Sequence, residues 1–270
     1  MMLTPTLTPK PFIKWAGGKQ SLALLLSTEF PHDFERLYEP FVGGGSIFLS
    51  LCPHKAVIGD HNRWLIDTYR AIRDAWEKVA EILDSIPNTK EDYLRVRKVL
   101  PASIGLEQRA AHFIYLNKTC FRGLFRVNRK GEFNVPYGEY DRRYYDPDNL
   151  KAVSFALQQT EIRSGDFERT LFDVTPKDFV YLDPPYYKLS GYSDFNRYTE
   201  AQFRENDQLR LGALCRELDQ KGVRWAVSNS DTEFVRHVFS GFNIKEISAR
   251  REINLKSSKR DIIELLIKNY

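Results

Sequence analysis

Asp178-Phe179-Val180-Tyr181-Leu182 runs directly into Asp183-Pro184-Pro185-Tyr186, and this junction decides the fold. Five residues that read as a buried strand stop at an acid, and two prolines then stiffen the turn. A strand ending this way puts a carboxylate, a prolyl carbonyl and an aromatic ring into one crevice at the carboxyl edge of a parallel sheet. The carboxylate and the Pro184 carbonyl can accept both hydrogens of an exocyclic amine, which draws its nitrogen lone pair out of conjugation and towards an electrophile. Tyr186 can stack on the ring that bears the amine. A base inside a duplex cannot present such an amine, so it has to be extruded first.

Working outward, residues 37–41 read as a short strand entering Val42-Gly43-Gly44-Gly45-Ser46, followed by a helix over 47–51 that Pro53 ends. Residues 56–60 (AVIGD) form a second strand ending in an acid. Leu65, Ile66, Tyr69, Ile72, Trp76, Val79, Ala80 and Leu83 then recur at helical spacing, predicting an amphipathic helix over 62–85. Strand, glycine loop, helix, strand, helix implies an α/β fold with a parallel, doubly wound sheet.

The pattern resumes with strands at 160–163 and 178–182, a helix over 200–220, a strand at 223–228 and a short helix at 232–239. Strands at 242–247 and 262–268 bracket the basic run 250–260, a connection too short for a crossover helix, so they should pair antiparallel at the sheet end. The middle of the chain breaks the alternation. It holds helical stretches at 90–100 and 106–117, then a hairpin in which 125–127 and 132–135 flank Asn128-Arg129-Lys130-Gly131. The expected division is a main unit of residues 1–86 and 158–270 with an inserted subdomain at 87–157.

Composition bounds the function. With 42% hydrophobic and 28% charged residues the chain is globular, and no apolar stretch approaches the ~18–20 residues that span a bilayer. The first eleven residues lack the apolar core of a signal peptide. Cys52, Cys120 and Cys215 are odd in number and far apart, which excludes a disulfide scaffold and fits a reducing cytoplasm. His32, His54, His61, His112 and His237 have no ligand spacing, so no metal is expected. The net charge of +4 says little, but its distribution says more. Between 109 and 145, Arg109, Lys118, Arg122, Arg126, Arg129, Lys130, Arg142 and Arg143 interleave with Phe and Tyr residues, a pattern suited to nucleic acid.

The glycine loop lets backbone approach a ligand closely at a helix N-terminus. Phe48 stands where GxGxxG needs its third glycine, which excludes the dinucleotide fingerprint and with it a nicotinamide dehydrogenase. Asp60, ending the next strand, can accept hydrogen bonds from ribose hydroxyls, so loop and acid point to a nucleoside-bearing ligand. Ala16-Gly17-Gly18-Lys19 fails as a phosphate-binding loop, because Ile13 and Gln20 replace required residues. It does place Trp15 and Lys19 around one tight turn, a cation for a carboxylate and an aromatic face for an apolar or sulfonium group.

Four motifs together resemble a known family. Phe12-Ile13-Lys14-Trp15-Ala16-Gly17-Gly18-Lys19, Glu39-Pro40-Phe41-Val42-Gly43-Gly44-Gly45-Ser46, Gly131-Glu132-Phe133-Asn134-Val135-Pro136-Tyr137-Gly138 and Asp183-Pro184-Pro185-Tyr186 are similar, in content and order, to the Dam-type (D12 class) DNA adenine-N6 methyltransferases. The resemblance spans nearly the whole chain. It implies S-adenosylmethionine as methyl donor, a Rossmann-like methyltransferase sheet, and a target-recognition role for the insertion. It implies Trp15, Lys19, Gly43, Gly45, Asp60, Asp166, Phe167 and Asp183 as donor-binding residues, and Asp183, Pro184 and Tyr186 as the catalytic turn.

In the recognition segment the resemblance implies Arg126 as reader of a guanine through O6 and N7, Leu124 against a neighbouring base edge or as a wedge in the stack, Lys14 on an outer base pair, and Asn134 in the same DNA-facing hairpin. The resemblance implies a GATC-like target site, and Arg122, standing where the family carries Asn, is a departure from the pattern behind that site. Residues 256–260, Lys259 and Arg260 among them, fit a loop gripping phosphates. The implied partner is double-stranded DNA, handled by a monomer in a bacterial or phage-type cytoplasm at the nucleoid. A methyltransferase acting on RNA or on a protein glutamine is one rival. A DNA-binding protein that kept the fold and lost catalysis is the other.

Overall fold

The computed structural model describes residues 7–128, 131–187, 203–250 and 261–270. Short apolar strands alternate with helices over most of this length, and the strands assemble as their pattern dictates. β1 (Leu37–Glu39), β2 (Ala56–Asp60), β3 (Thr160–Ser164), β4 (Phe179–Leu182) and β5 (Arg224–Ser230) pair in parallel. β6 (Asn243–Arg250) and β7 (Asp261–Lys268) complete a seven-stranded sheet among the described residues, in the order β3-β2-β1-β4-β5-β7-β6. The expected antiparallel pair is present, in register from Asn243↔Lys268 to Arg250↔Asp261. β7 lies inside it, antiparallel to β5 with Ser230 opposite Glu264.

β1 pairs with β2 on one side and β4 on the other through Leu37, which faces both Ala56 and Phe179. The strand order therefore reverses at β1, and the crevice beyond the carboxyl ends of such strands is where open α/β sheets bind ligands. The glycine loop after β1, Asp60 at the end of β2 and the proline turn after β4 all open into that crevice.

Both faces of the sheet are covered, as the continuously apolar strands require. Leu37, Ile58, Phe179, Tyr181, Ala226 and Leu266 pack on one side with α3 (Arg63–Asp84) and α5 (Leu106–Thr119). Val57, Val180, Leu182, Trp225, Val227, Leu265 and Ile267 pack on the other against Leu211, Cys215 and Leu218 of α8 (Glu205–Gln220). α3 forms where its apolar periodicity places it, with the Asn62 side chain accepting the Leu65 N–H at 3.1 Å as the N-cap. It packs against both α5 and α6 (Pro147–Leu157), and α6 leads directly into β3.

Several boundaries differ from the sequence reading, each for a local reason. The helix expected over 90–100 stops as α4 (Lys90–Arg97). Pro101 forces Leu100 to an extended ψ of 126° and opens a 3₁₀ turn at Pro101–Ser103. The strand expected over 37–41 ends at Glu39, because Pro40 has no N–H for the ladder. The helix expected from 200 begins at Glu205, where the Asp207 side chain accepts the Arg204 N–H at 2.8 Å; residues 200–202 lie outside the described residues. Among the described residues, no helix is long and apolar enough to cross a membrane.

Candidate active site

The proline turn carries Asp183 out of β4 to meet Lys19, whose Nζ lies 2.8 Å from Oδ1 and 2.9 Å from Oδ2. Lys19 also donates to the Gly17 carbonyl at 2.8 Å, and its side chain is only 4% exposed. The same ammonium stands 4.7 Å from the centroid of the Tyr186 ring. Tyr186 in turn donates its hydroxyl proton to Glu264 Oε2 at 2.8 Å, and Glu264 Oε2 is 4.0 Å from Lys19 Nζ. Gln208 Nε2 donates to the Pro185 carbonyl at 2.9 Å, and Asn229 Nδ2 donates to Gln208 Oε1 at 3.0 Å. The turn is thus fixed from the α8 side while Asp183 and Tyr186 face the crevice.

Asp183 Oδ1 is buried, and its contact with Lys19 at 2.8 Å lacks hydrogen-bond geometry; a carboxylate oxygen carries two lone pairs, so an incoming donor group can still be accepted. Burial pushes the Asp183 carboxyl up to about 6; Lys19 pulls it down and Glu264 pushes it further up. Glu39, at the end of β1, is raised well above the ordinary carboxyl range by burial and then by the negative charge of Asp183. It accepts the Phe48 N–H at 3.0 Å, capping α2 (Ser46–Leu51).

Gly43 and Gly45 have φ of +47° and +70°, a left-handed backbone open to glycine. A Cβ at Gly43 would stand 2.6 Å from Trp15 Cδ1, and one at Gly45 2.6 Å from the Tyr69 hydroxyl. The loop is tied to the neighbouring strand: Asp60 Oδ2 accepts the Gly43 N–H at 3.1 Å, and Oδ1 accepts that of Asn62 at 2.8 Å. Burial pushes the Asp60 carboxyl up to about 6. Asp60 and Asp183 end strands separated by β1 alone, about 10 Å of sheet.

Trp15 lies against Gly43 and stacks towards Phe125 and Phe113, with centroids at 5.6 and 6.4 Å. Asp166 caps α7 (Phe167–Thr170) and pairs with Arg210 at 3.1 Å. Phe167 packs on Phe41 at 5.3 Å, walling the crevice beyond β2.

In the segment expected to read DNA, Arg126 Nε donates to Asn134 Oδ1 at 2.8 Å and Nη2 to the Asn134 carbonyl at 3.2 Å. The hairpin closes through the Val127↔Phe133 bridge. Arg122 adopts a left-handed φ of +60°, and its N–H donates to the Tyr140 hydroxyl at 2.8 Å. The Lys14 backbone exchanges two 2.8 Å hydrogen bonds with the Asn117 side chain, and its ammonium lies 5.7 Å from the Tyr140 ring. Leu124 is half-buried against the core. Arg126, Asn134, Arg122 and Leu124 thus sit on one segment, with Lys14 bound to its base through Asn117. Lys259 and Arg260 lie outside the described residues, as do Arg129 and Lys130.

The sequence reading passed over Glu264, Glu39 and the Gln208–Asn229 pair. Glu264 left a signal: it is the acid inside Ile262-Ile263-Glu264-Leu265-Leu266-Ile267, a strand otherwise apolar. Gln208 and Asn229 left none, because their task depends on a contact between α8 and β5.

The site suits a methyl donor built on a nucleoside. The glycine cradle would be filled by any Cβ, a buried acid stands beside it, and the aromatic and acidic turn faces it across β1. Sheet and site define a Rossmann-like, S-adenosylmethionine-dependent methyltransferase. The family described as D12 class N6 adenine-specific DNA methyltransferase matches residues 15–253. The chain is 40% identical to the type II methyltransferase M.MjaIII of Methanocaldococcus jannaschii, over 97% of this chain and 99% of that protein. It is 39% identical to the type II methyltransferase M1.LlaDCHI of Lactococcus lactis subsp. cremoris, over 97% and 95%. With the DNA adenine methylase of Haemophilus influenzae it shares 34% identity over 98% and 95%. The chain belongs to the D12 class of N6 adenine-specific DNA methyltransferases.

Proposed function

We propose that this adenine methyltransferase modifies a GATC-like site in duplex DNA by everting the target adenine into the Asp183–Tyr186 crevice. The observation that carries this reading is the buried Asp183 Oδ1, held in place by Lys19 and without a directed hydrogen bond among the described residues. In the proposed complex Asp183 and the Pro184 carbonyl accept the two N6 hydrogens and Tyr186 stacks on the purine. The N6 lone pair is then aimed along the carboxyl edge towards the glycine loop. S-adenosylmethionine, when bound, supplies an electrophilic methyl group there. Gly43 and Gly45 allow it close approach, Asp60 receives its ribose, Trp15 lines its apolar side, and Asp166 and Phe167 flank its adenine. Lys19 is near enough to serve its carboxylate while holding Asp183. The N6–methyl bond forms as the sulfur–methyl bond breaks to leave a neutral thioether, and the methylated amine releases one N6 proton to solvent.

Residues 87–157 serve as the target-recognition insertion, with Arg126 reading a guanine, Leu124 and Arg122 beside it, and Lys14 at its edge. The Asn134 contacts use the Nε edge of the Arg126 guanidinium, which leaves its outer edge for O6 and N7. We take the enzyme to act as a monomer in the cytoplasm.

The test is methyl transfer to duplex DNA, single-stranded DNA and duplex RNA, followed by sequencing of the modified adenines. Duplex DNA is expected to be preferred, with methylation confined to one short site. Transfer to RNA at equal rate would refute the substrate. Asp183→Ala should abolish transfer and leave DNA binding near wild type, with a lowered melting temperature because the buried Lys19 ammonium loses its partner; substantial residual transfer would refute the role of that carboxylate.

A further inference from the structure

Glu264 stands in the crevice without a role in the reading above. Its neighbours in β7 are apolar, yet its side chain is only 13% exposed. A carboxylate withdrawn from water at a strand interior is costly unless partners meet it. Its position follows from topology: β7 runs antiparallel to β5, so Glu264, opposite Ser230, reaches the carboxyl edge. Glu264 shares a sheet face with Leu266, which packs in the same core as Tyr181, and Lys19 approaches this face.

Among the described residues two partners are within reach, at unequal distances. Lys19 Nζ is 4.0 Å away and already bound by Asp183 at 2.8 Å, so Glu264 adds little to holding it. The directed contact is the 2.8 Å hydrogen bond from the Tyr186 hydroxyl. The two prolines fix the backbone ahead of Tyr186, but they leave its ring free to rotate about the side-chain bonds. A ring that receives an everted purine gains most when its plane is set beforehand. We propose that Glu264 is the positioning residue for Tyr186, locking the ring in its stacking orientation through the phenolic hydroxyl. This inference rests on the Asp183–Tyr186 crevice being the base site.

Glu264 also sets charge at the crevice. The groups facing Asp183 are Lys19 from the N-terminal turn, Glu264 from β7 and Tyr186 from its own turn, with Glu39 of β1 and Tyr181 of β4 coupled to the same cluster. Glu264 is a carboxylate that acts on Asp183, and it raises the affinity of Asp183 for a proton.

The experiment is a mutant cycle of Glu264→Ala and Glu264→Gln, each made with Tyr186 and with Tyr186→Phe. Glu264→Ala should lower kcat about 10- to 100-fold, the scale of one hydrogen bond to a charged group, with KM for the donor within about threefold. Glu264→Gln keeps an acceptor and should restore most of kcat. It also removes a charge, so the acid limb of the kcat/KM profile should move to lower pH. With Tyr186→Phe in place, Glu264→Ala should have little further effect. Equal losses in both backgrounds, or full kcat in Glu264→Ala, would overturn the proposal. Should Glu264→Ala fail to fold, Tyr186→Phe carries the test, since it removes the same hydrogen bond, and full kcat in it overturns the proposal. Tyr186→Ala separates the two readings. Wild-type activity there removes the crevice itself, whereas lost activity there with an inert Glu264→Ala removes the positioning role alone.

Discussion

Lys19 Nζ sits 2.8 Å from Asp183 Oδ1, an ion pair that joins the Gly17-Gly18 turn to a strand end 164 residues later. Both side chains are largely withdrawn from water, at 4% and 18% exposure. A pair in that setting is weak evidence for net stability, but removing one member leaves the other charge stranded.

Lys19→Met is therefore expected to cost about 3–5 kcal/mol of stability near neutral pH, read as a lowered denaturant midpoint. It should also move the acid limb of activity to higher pH, because Lys19 is what holds the Asp183 carboxyl down. A midpoint within error of wild type would show that solvent screens the pair.

Asp183 must be ionised to accept the amine hydrogens, and burial has raised its carboxyl from 3.8 to about 6. Activity should fall as pH drops through about 6, giving an acid limb in kcat/KM. Stability runs the other way. The folded state holds this proton more tightly than the unfolded chain, so the contribution is full below 3.8 and is lost as pH rises through about 6. Asp183→Asn should remove that limb together with most of the activity, about 10²- to 10³-fold. A limb unchanged in Asp183→Asn would assign it to another group.

Gly43→Ala puts a methyl at φ +47° and 2.6 Å from the Trp15 ring. It is expected to lose about 2 kcal/mol or more and to weaken donor binding more than DNA binding, measured by titration calorimetry with each ligand. Gly17, also at positive φ, has no atom within 4 Å of a built Cβ, so Gly17→Ala is the control for backbone strain alone.

Arg126→Ala should cost about 1–3 kcal/mol at a single base position and relax specificity there. Asn134→Ala should give a smaller loss at the same position, because it frees the guanidinium without removing it. Methylation rates on duplexes carrying each base substitution check both. A loss of equal size on every duplex would make Arg126 a phosphate contact.

Much of the sheet was legible in the sequence because two of its strands end at chemical markers, Asp60 and Asp183 before two prolines, whereas the end of β1 at Glu39 was read two residues too late. The antiparallel β6 and β7 followed from the length of their connection, but the seating of β7 beside β5 did not, since strand neighbours are chosen by packing. The glycine loop and the proline turn announced themselves through backbone requirements that few residues meet. Lys19 was legible as a cation seeking a carboxylate, but its meeting with Asp183 was not. Nor was Glu264, which reaches Tyr186 by way of an antiparallel strand whose register no local pattern encodes. The left-handed Arg122 was equally hidden, because arginine carries no signal for that conformation and the Tyr140 hydroxyl that meets its N–H lies 18 residues on.

Trp15 touches the glycine loop on one side and Phe113 and Phe125 on the other, and Trp64 of α3 closes on the same two rings at 5.2 and 6.0 Å. The segment that would read DNA is thereby glued to the scaffold by a shared aromatic wall. Exchanging this segment with that of a relative to redirect target choice would mismatch that wall unless Trp15 and Trp64 were grafted along with it. New sequence preferences in this lineage should therefore be easier to reach by side-chain changes on the hairpin surface than by wholesale module swaps.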